Sequence, residues 1–386
     1  MLKFLMSCFL SLSFFSPKPS VKIEPVKEMP DLGLHTSASI LIEAQSGRVL
    51  YEENADEQHY PASMTKMMGM YLVLDSIEKG KLSFDDTVTC SAYASSMGGT
   101  QIFLEEGEQM SVRDLFKAVA INSANDAITA LGEHIAGSTE NFVRLMNETA
   151  KDLGMKNTCF RNPTGFDDQE HKTTPRDMSI VARKLVAYGE TLFQFTRLKE
   201  AYVREDSANP FWLVNTNKML GHYEGMDGLK TGYTSMAGYN LTATACRNGI
   251  RLISVVMHEE SIACRSQDTT TLLNYGFSKV DIIHLYPIQH EILRYTFQRA
   301  LQKDTPIVTK EEVKLIVDKG TTKEQLKATV KIEKLDAPVH IGEVVGHLII
   351  EDGLGNTYTY ALTVLEEITL MRFWDYLKEC LLQFLA

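Results

Sequence analysis

Tyr60-Pro61-Ala62-Ser63-Met64-Thr65-Lys66 is the stretch on which the reading of this chain turns. It places a hydroxyl and an amine three residues apart, just after a proline. A helix-forming run continues through Met67, Met68, Met70, Tyr71 and Leu74 to a stop at Lys79-Gly80. Positions i and i+3 share one face of a helix. A neutral Lys66 could therefore take the proton of Ser63 and turn its oxygen into a nucleophile. At the helix N-terminus Ser63 would also sit among unpaired N–H groups, at the positive end of the dipole. Ser76 and Lys79 repeat the spacing at the other end of the same run, where neither advantage holds.

Two further motifs follow in order. Ser123-Ala124-Asn125 separates the helix-forming runs Val112 to Ile121 and Asp126 to Ile135, so a loop there can aim two polar side chains into a cleft. Ser207-Ala208-Asn209 has the same pattern, but Pro210 marks it as a turn. Lys230-Thr231-Gly232 occurs once, in a strand-like run with glycines near both ends. Gly232 is expected to let a ligand backbone come close. The runs Tyr239 to Cys246 and Arg251 to Met257 meet at Asn248-Gly249, a strong hairpin signal. The Lys230 strand then reads as the edge of an antiparallel sheet, along which an extended peptide can lie. Each motif alone is weak. The three in this order match the set used for serine acyl transfer by penicillin-binding proteins and class A β-lactamases.

The sequence resembles the low-molecular-weight penicillin-binding proteins, the serine D-alanyl-D-alanine carboxypeptidases of bacterial cell walls, over about residues 31 to 280. Besides the three motifs, the matching phrases are Asn162-Pro163-Thr164-Gly165-Phe166-Asp167, Asp227-Gly228-Leu229-Lys230-Thr231-Gly232-Tyr233-Thr234 and Ala237-Gly238-Tyr239-Asn240-Leu241. Ala38 to Glu43 with Ser46-Gly47-Arg48-Val49-Leu50-Tyr51 fits the family's opening hairpin. The resemblance implies an α/β (α+β) penicillin-binding/β-lactamase-like transpeptidase domain with an antiparallel sheet and a helical subdomain. It implies Ser63 as the acyl-accepting nucleophile, Lys66 as its general base and Ser123 as part of the proton relay. Asn125 would hold the substrate amide, with Lys230, Thr231, Gly232 and Arg265 at the substrate's carboxylate end. The N–H groups of Ser63 and Tyr233 would form the oxyanion hole. Arg265 is matched by spacing, against the alternative of a solvated arginine at a helix start. One departure concerns substrate preference: where the family usually has Gly-His-Tyr-Ser, this chain has Glu170-His171-Lys172-Thr173-Thr174.

The implied reaction removes the terminal D-Ala from a peptidoglycan pentapeptide stem. β-Lactam antibiotics would mimic the D-Ala-D-Ala end and remain on Ser63 as slow acyl-enzymes. Lys66 can act as a base only if burial or a second cation depresses its pKa, and Lys230 would be that cation. No cofactor and no metal is expected, since none of the ten histidines falls in a metal-binding pattern. His171 and His258, near the presumed cleft, read as packed or surface residues. Gly98-Gly99 reads as a cleft-rim loop. A net charge of −11 without a basic patch argues against nucleic acid as a partner.

The rest of the chain sets the compartment. Residues 1–16 carry one lysine and then an apolar run, a signal peptide or N-terminal hydrophobic segment, and 17–30 form a proline-containing linker. The protein is expected to be exported to the extracytoplasmic face of the bacterial membrane or to the wall. Five cysteines beyond residue 16 suggest no disulfide framework. Residues 283–364 alternate in short strands and predict a small all-β domain, a sandwich or barrel. In residues 366–386, Leu370, Trp374, Leu377, Leu381 and Phe384-Leu385 form one apolar stripe of a helix expected from Ile368 onward. Its charges make it too polar to cross a bilayer and suited to lie on a membrane surface.

Three other readings share parts of this pattern. A class A-like β-lactamase needs a deacylating glutamate, and Glu140 with Asn147 does not have that enzyme's Glu-x-x-Leu-Asn spacing. A DD-endopeptidase would use the same groups on cross-links. A non-catalytic peptidoglycan-binding morphogenetic protein would keep the cleft without needing Ser63, Lys66 and Lys230 intact.

Overall fold

Every residue of the strand Ala38–Glu43 is buried. Successive side chains in a strand face opposite ways, so this strand must be covered on both sides. A computed structural model describes residues 29–36, 38–353 and 355–385 and shows how. The N-terminal apolar segment and the linker up to residue 28 lie outside the described residues. The chain divides into two units, Met1–Asp31 and Leu32–Ala386. The sheets, helices and cleft all belong to the second.

The central sheet is antiparallel, in the order Val49–Glu53, Ala38–Glu43, Ile250–Glu259, Gly238–Arg247, Met226–Thr234. On one face, Leu41 and Leu252 press on Gly276 of the helix Ile262–Lys279, where a Cβ would meet the Leu252 and Leu41 methyls at 2.6 and 2.7 Å. On the other face Ile40, Ile42, Ile253 and Val255 join a large apolar core with the helices Lys66–Glu78, Val112–Asn122, Asn125–Ala136, Thr139–Leu153 and Pro175–Val186. The Asn248-Gly249 hairpin is present, with both residues at positive φ (51° and 82°), the conformation that suits a two-residue hairpin. The Lys230 strand is indeed the sheet edge.

A second apolar cluster, including Phe297, Ile307, Leu315, Val345, Tyr360 and Leu362, lies farther along the chain. Around it are a five-stranded sheet, ordered Glu291–Tyr295, Thr305–Thr309, Thr357–Thr363, Gly346–Glu351, Lys327–Ile332, and the pair Val280–Tyr286 with Val313–Asp318. The Tyr358 hydroxyl donates to Ile316 O at 2.8 Å and joins the two sheets.

The terminal helix is shorter than expected: it spans Phe373–Leu385. Ile368 is instead buried in the second cluster and exchanges backbone hydrogen bonds with Val339, while Leu370 bridges to Ala300. Ile368, at the start of the expected helix, thus belongs to the β core, while Leu370 stays exposed. Among the described residues no helix is long and apolar enough to cross a membrane. Cys90, Cys159, Cys246 and Cys264 are free thiols.

Candidate active site

The α-helix of the first motif begins at Lys66, three residues later than expected, because Ala62–Thr65 form a tight 3-10 turn ahead of it. Two glycines account for the tight entry. A Cβ on Gly232 would meet Pro61 O at 2.6 Å and Met64 N at 3.2 Å. Gly165, at φ +88°, lies so near that a Cβ would fall on the Ala62 carbonyl. Gly232 therefore makes room for this turn of the chain itself. Asn240 completes the join: its Nδ2 donates to Tyr60 O at 2.9 Å and its Oδ1 accepts from His258 N at 2.8 Å.

The turn keeps the two motif residues together. Lys66 Nζ donates to Ser63 Oγ at 2.8 Å and to Thr164 O at 2.6 Å. Ser63 is half-buried, whereas Lys66 has no exposed surface. Burial, and then the neighbouring Lys230, hold the Lys66 ammonium well below the ordinary lysine range, and Asp126 partly offsets them. Lys230 is also buried; burial and then Arg265 lower it to about 7. A charged Lys230 beside the desolvated Lys66 favours the neutral form of Lys66. An amine that has shed its proton, 2.8 Å from a hydroxyl, is a proton acceptor for that hydroxyl.

The second motif arrives through a left-handed residue. Ser123 stands at φ 66°, after the helix Val112–Asn122 and before Asn125–Ala136. Its Oγ is buried and has no hydrogen-bond partner among the described residues. Asn125 Nδ2 donates to Gly98 O at 2.8 Å, and its N–H donates to Thr100 O at 2.7 Å. Gly98-Gly99 is therefore a strap on this motif; a Cβ on Gly99 would meet Asn125 Nδ2 at 2.9 Å. Asp126, which sequence reasoning passed over, anchors the strap. Its buried carboxylate accepts from Ile102 N at 3.0 Å, Leu104 N at 3.0 Å and Ala127 N at 2.9 Å.

The third motif closes the cleft from the sheet edge. Thr231 Oγ1 donates to Thr216 Oγ1 at 2.7 Å. The Tyr233 ring is exposed and stacks on Tyr239 at 4.3 Å. Thr234 Oγ1 donates to Asp167 Oδ1 at 2.7 Å, which ties the edge strand to the Asn162–Asp167 phrase. Arg265 is not a solvated helix-start residue: it is 5% exposed, and its charge reaches Lys230. Asp126 and Thr216 were not singled out from the sequence, and Thr164 and Asp167 appeared only within the matching phrase Asn162–Asp167, since none of their roles follows a spacing rule.

His171 lies within the departing segment and is a bracing residue. Its Nδ1 accepts from Arg161 N at 3.1 Å, so its Nε2 carries the proton toward Thr65 Oγ1 at 2.8 Å. Burial lowers it to about 4, so it is neutral at pH 7. Thr174 caps the next helix, with its Oγ1 accepting from Asp177 N at 3.1 Å. Glu140 is exposed on the helix Thr139–Leu153, and the Asn147 amide is engaged by Val143 O and by Phe160.

Comparison with known proteins decides the assignment. Residues 25–261 match the family model of D-alanyl-D-alanine carboxypeptidases, peptidase S11. The chain belongs to this family. Residues 297–369 match the C-terminal domain of penicillin-binding protein 5. The D-alanyl-D-alanine carboxypeptidase DacF of Bacillus subtilis is 39% identical over 343 residues, 89% of this chain and 88% of that protein. Penicillin-binding protein 5 from Haemophilus influenzae is 30% identical in sequence, with a TM-score of 0.69 over 89% of this chain and 99% of that one. Penicillin-binding protein D2 from Listeria monocytogenes, solved in the ampicillin bound form, is 33% identical with a TM-score of 0.56 over 64% of this chain and 100% of that one. As a member of the S11 carboxypeptidases this protein is a serine-type D-alanyl-D-alanine carboxypeptidase, a hydrolase of the low-molecular-weight penicillin-binding class. The S11 carboxypeptidases act on peptidoglycan outside the cytoplasm.

Proposed function

We propose that the carboxypeptidase reaction runs through an acyl-enzyme on Ser63, with Lys66 as its base. The contact between Lys66 Nζ and Ser63 Oγ, 2.8 Å across a buried site that disfavours the ammonium, carries this reading. Neutral Lys66 takes the Ser63 proton as Oγ attacks the carbonyl of the penultimate D-Ala. The developing oxyanion is received by the N–H groups of Ser63 and Tyr233, where one such donor contributes about 3–4 kcal/mol. The proton returns from Lys66, with Ser123 relaying it, to the departing D-Ala nitrogen as the peptide C–N bond breaks. Water then hydrolyses the Ser63 ester. Asn125 holds the substrate amide, and Lys230, Thr231 and Arg265 hold the free carboxylate. A β-lactam carbonyl enters the same sequence, but the amine stays tethered to the acyl group and deacylation is slow.

Residues 31–280 carry this chemistry and 283–364 carry none of it. The helix Phe373–Leu385 lies on the outer membrane leaflet facing the wall, with the exposed Phe373, Trp374, Leu377 and Leu381 at the lipid boundary. The family does not favour a β-lactamase or a purely binding role, and the exposed Glu140 speaks against the former. Pentapeptide and cross-linked dimer assayed side by side measure the share of endopeptidase activity.

The test is intact-mass spectrometry after exposure to penicillin, with peptide mapping. A single adduct on Ser63, absent in Ser63→Ala, is expected. An adduct elsewhere, or an unchanged adduct in Ser63→Ala, overturns the assignment.

A further inference from the structure

Behind Arg265 lies a buried acidic pair that the reaction above does not use. Glu259 ends the strand Ile250–Glu259 and is 2% exposed; Asp268, on the helix Ile262–Lys279, is 1% exposed. Asp268 is fully engaged: its Oδ2 accepts from His35 N at 2.7 Å and Thr36 N at 2.8 Å, and its Oδ1 meets His35 Nδ1 at 2.8 Å. Both Glu259 oxygens are buried and receive no N–H or O–H from the described residues. Asp268 is their acidic neighbour and acts on the Glu259 carboxyl. Two neighbouring buried carboxylates disfavour ionisation of both. Glu259, which receives no N–H or O–H from the described residues, is the carboxyl that takes the proton.

The pair stands beside the substrate-facing cation. Arg265 is 5% exposed, and its Nε has no partner among the described residues. We propose that Glu259 and Asp268 hold one shared proton behind Arg265, and that Glu259 is a positioning residue which leaves that guanidinium turned toward the terminal carboxylate of the substrate. With the proton in place the pair carries one negative charge. Without it a second charge draws Arg265 back and cancels its attraction for the substrate. The inference rests on the reading of Arg265 as a carboxylate-binding group.

Electrostatics agrees with the geometry. Burial, and then Asp268, raise the Glu259 carboxyl to about 8, against the opposing pull of Arg265 and with a small push from Glu260. Facing Glu259 and its partners are Asp268 and Arg265 from the helix, Glu260 beside it in the chain, Tyr239 opposite it in the sheet, and His35 behind Asp268. Lys230 titrates in a neighbouring range, about 7, so the decisive comparison is between variants and not within the wild type.

The experiment measures KM and kcat from pH 6 to 10 for a peptide ending in D-Ala-D-Ala, using the full chain. Wild-type KM should rise about fivefold more across pH 7–9 than that of Glu259→Gln, whose amide keeps the donor at every pH. The kcat profiles should coincide. Infrared difference spectra supply an activity-independent readout: a protonated carboxyl band at pH 7 in the wild type, lost on going to pH 10 and absent in Glu259→Gln. Superimposable KM profiles, or no such band at pH 7, overturn the proposal. Arg265→Ala separates the two levels. If it leaves KM unchanged, the carboxylate reading of Arg265 fails; if it raises KM while Glu259→Gln does nothing to the pH profile, only the shared proton fails.

Discussion

The cleft and the C-terminal β region treat charge in opposite ways. Around the cleft, Lys66, Lys230, Asp126, Arg265, Glu259 and Asp268 are all at most 5% exposed. In the β region the interior is apolar, and among its described acidic and basic side chains Asp352 is the one that is buried. Burying a charge is costly unless it is compensated. The cleft bears that cost because a lysine in water is protonated and useless as a base. The β region has no such requirement and its core follows packing alone. Stability and chemistry are therefore held in different parts of the molecule, and substitutions should separate them.

The sharpest separation comes from Lys66→Met. It removes the base and a desolvated amine together. Turnover of a D-Ala-D-Ala peptide should fall about 10⁴-fold or more, while the melting temperature stays level or rises, since a buried polar group is exchanged for an apolar one. A large drop in melting temperature with residual activity would erase the contrast. Gly165→Ala should harm both properties. Its Cβ meets backbone, and its φ of +88° disfavours any side chain. A loss of roughly 3–5 kcal/mol is expected in chemical denaturation. Activity should fall with it, because Thr164 O would no longer meet Lys66.

His171 links the two properties through pH. Unfolded, its imidazole binds a proton near 6.5; folded, not until about 4. Below 6.5 the unfolded chain therefore gains protons that the native state refuses, and stability declines as pH falls toward 4. The loss from this one residue is about 3 kcal/mol across that window. Urea midpoints at pH 7 and pH 4.5 measure it, and His171→Gln should show a shallower decline. Equal slopes would remove His171 as the cause.

The β region should give the converse result. Leu362→Ala, in a fully buried site, should cost about 3 kcal/mol of stability and leave kcat/KM on a soluble peptide unchanged. A matching loss of activity would show that the cleft depends on the β core. The smallest effect on chemistry should come from Trp374→Ala with Phe373→Ala. Cosedimentation with anionic vesicles should weaken, with soluble-substrate turnover and melting temperature unaltered. Undiminished binding would remove the helix from the membrane.

Much of the site was legible from residue order alone. Ser63 and Lys66 obey a local spacing that a 3-10 turn preserves as well as an α-helix does. Asn248-Gly249 announced its hairpin because few residues accept two successive positive φ values. The gaps were of another kind. Gly232 also admits the turn at Pro61 to Met64, a neighbour that no local pattern announced. Ile368 reads as the start of the helix, yet its backbone partner Val339 lies far back in the chain. Arg265 fitted either a solvated or a buried reading until the fold enclosed it.

The sequence alone determined which residue types were available for acyl transfer, and in what order, because that chemistry demands a hydroxyl, an amine and a second cation at short spacings. The tertiary structure alone decided that Lys66 loses its water, that Lys230 stands beside it and Arg265 beside Lys230, and that Glu259 and Asp268 are both buried. Desolvation and Coulomb interactions depend on distance through space, and no local pattern of residues encodes that distance.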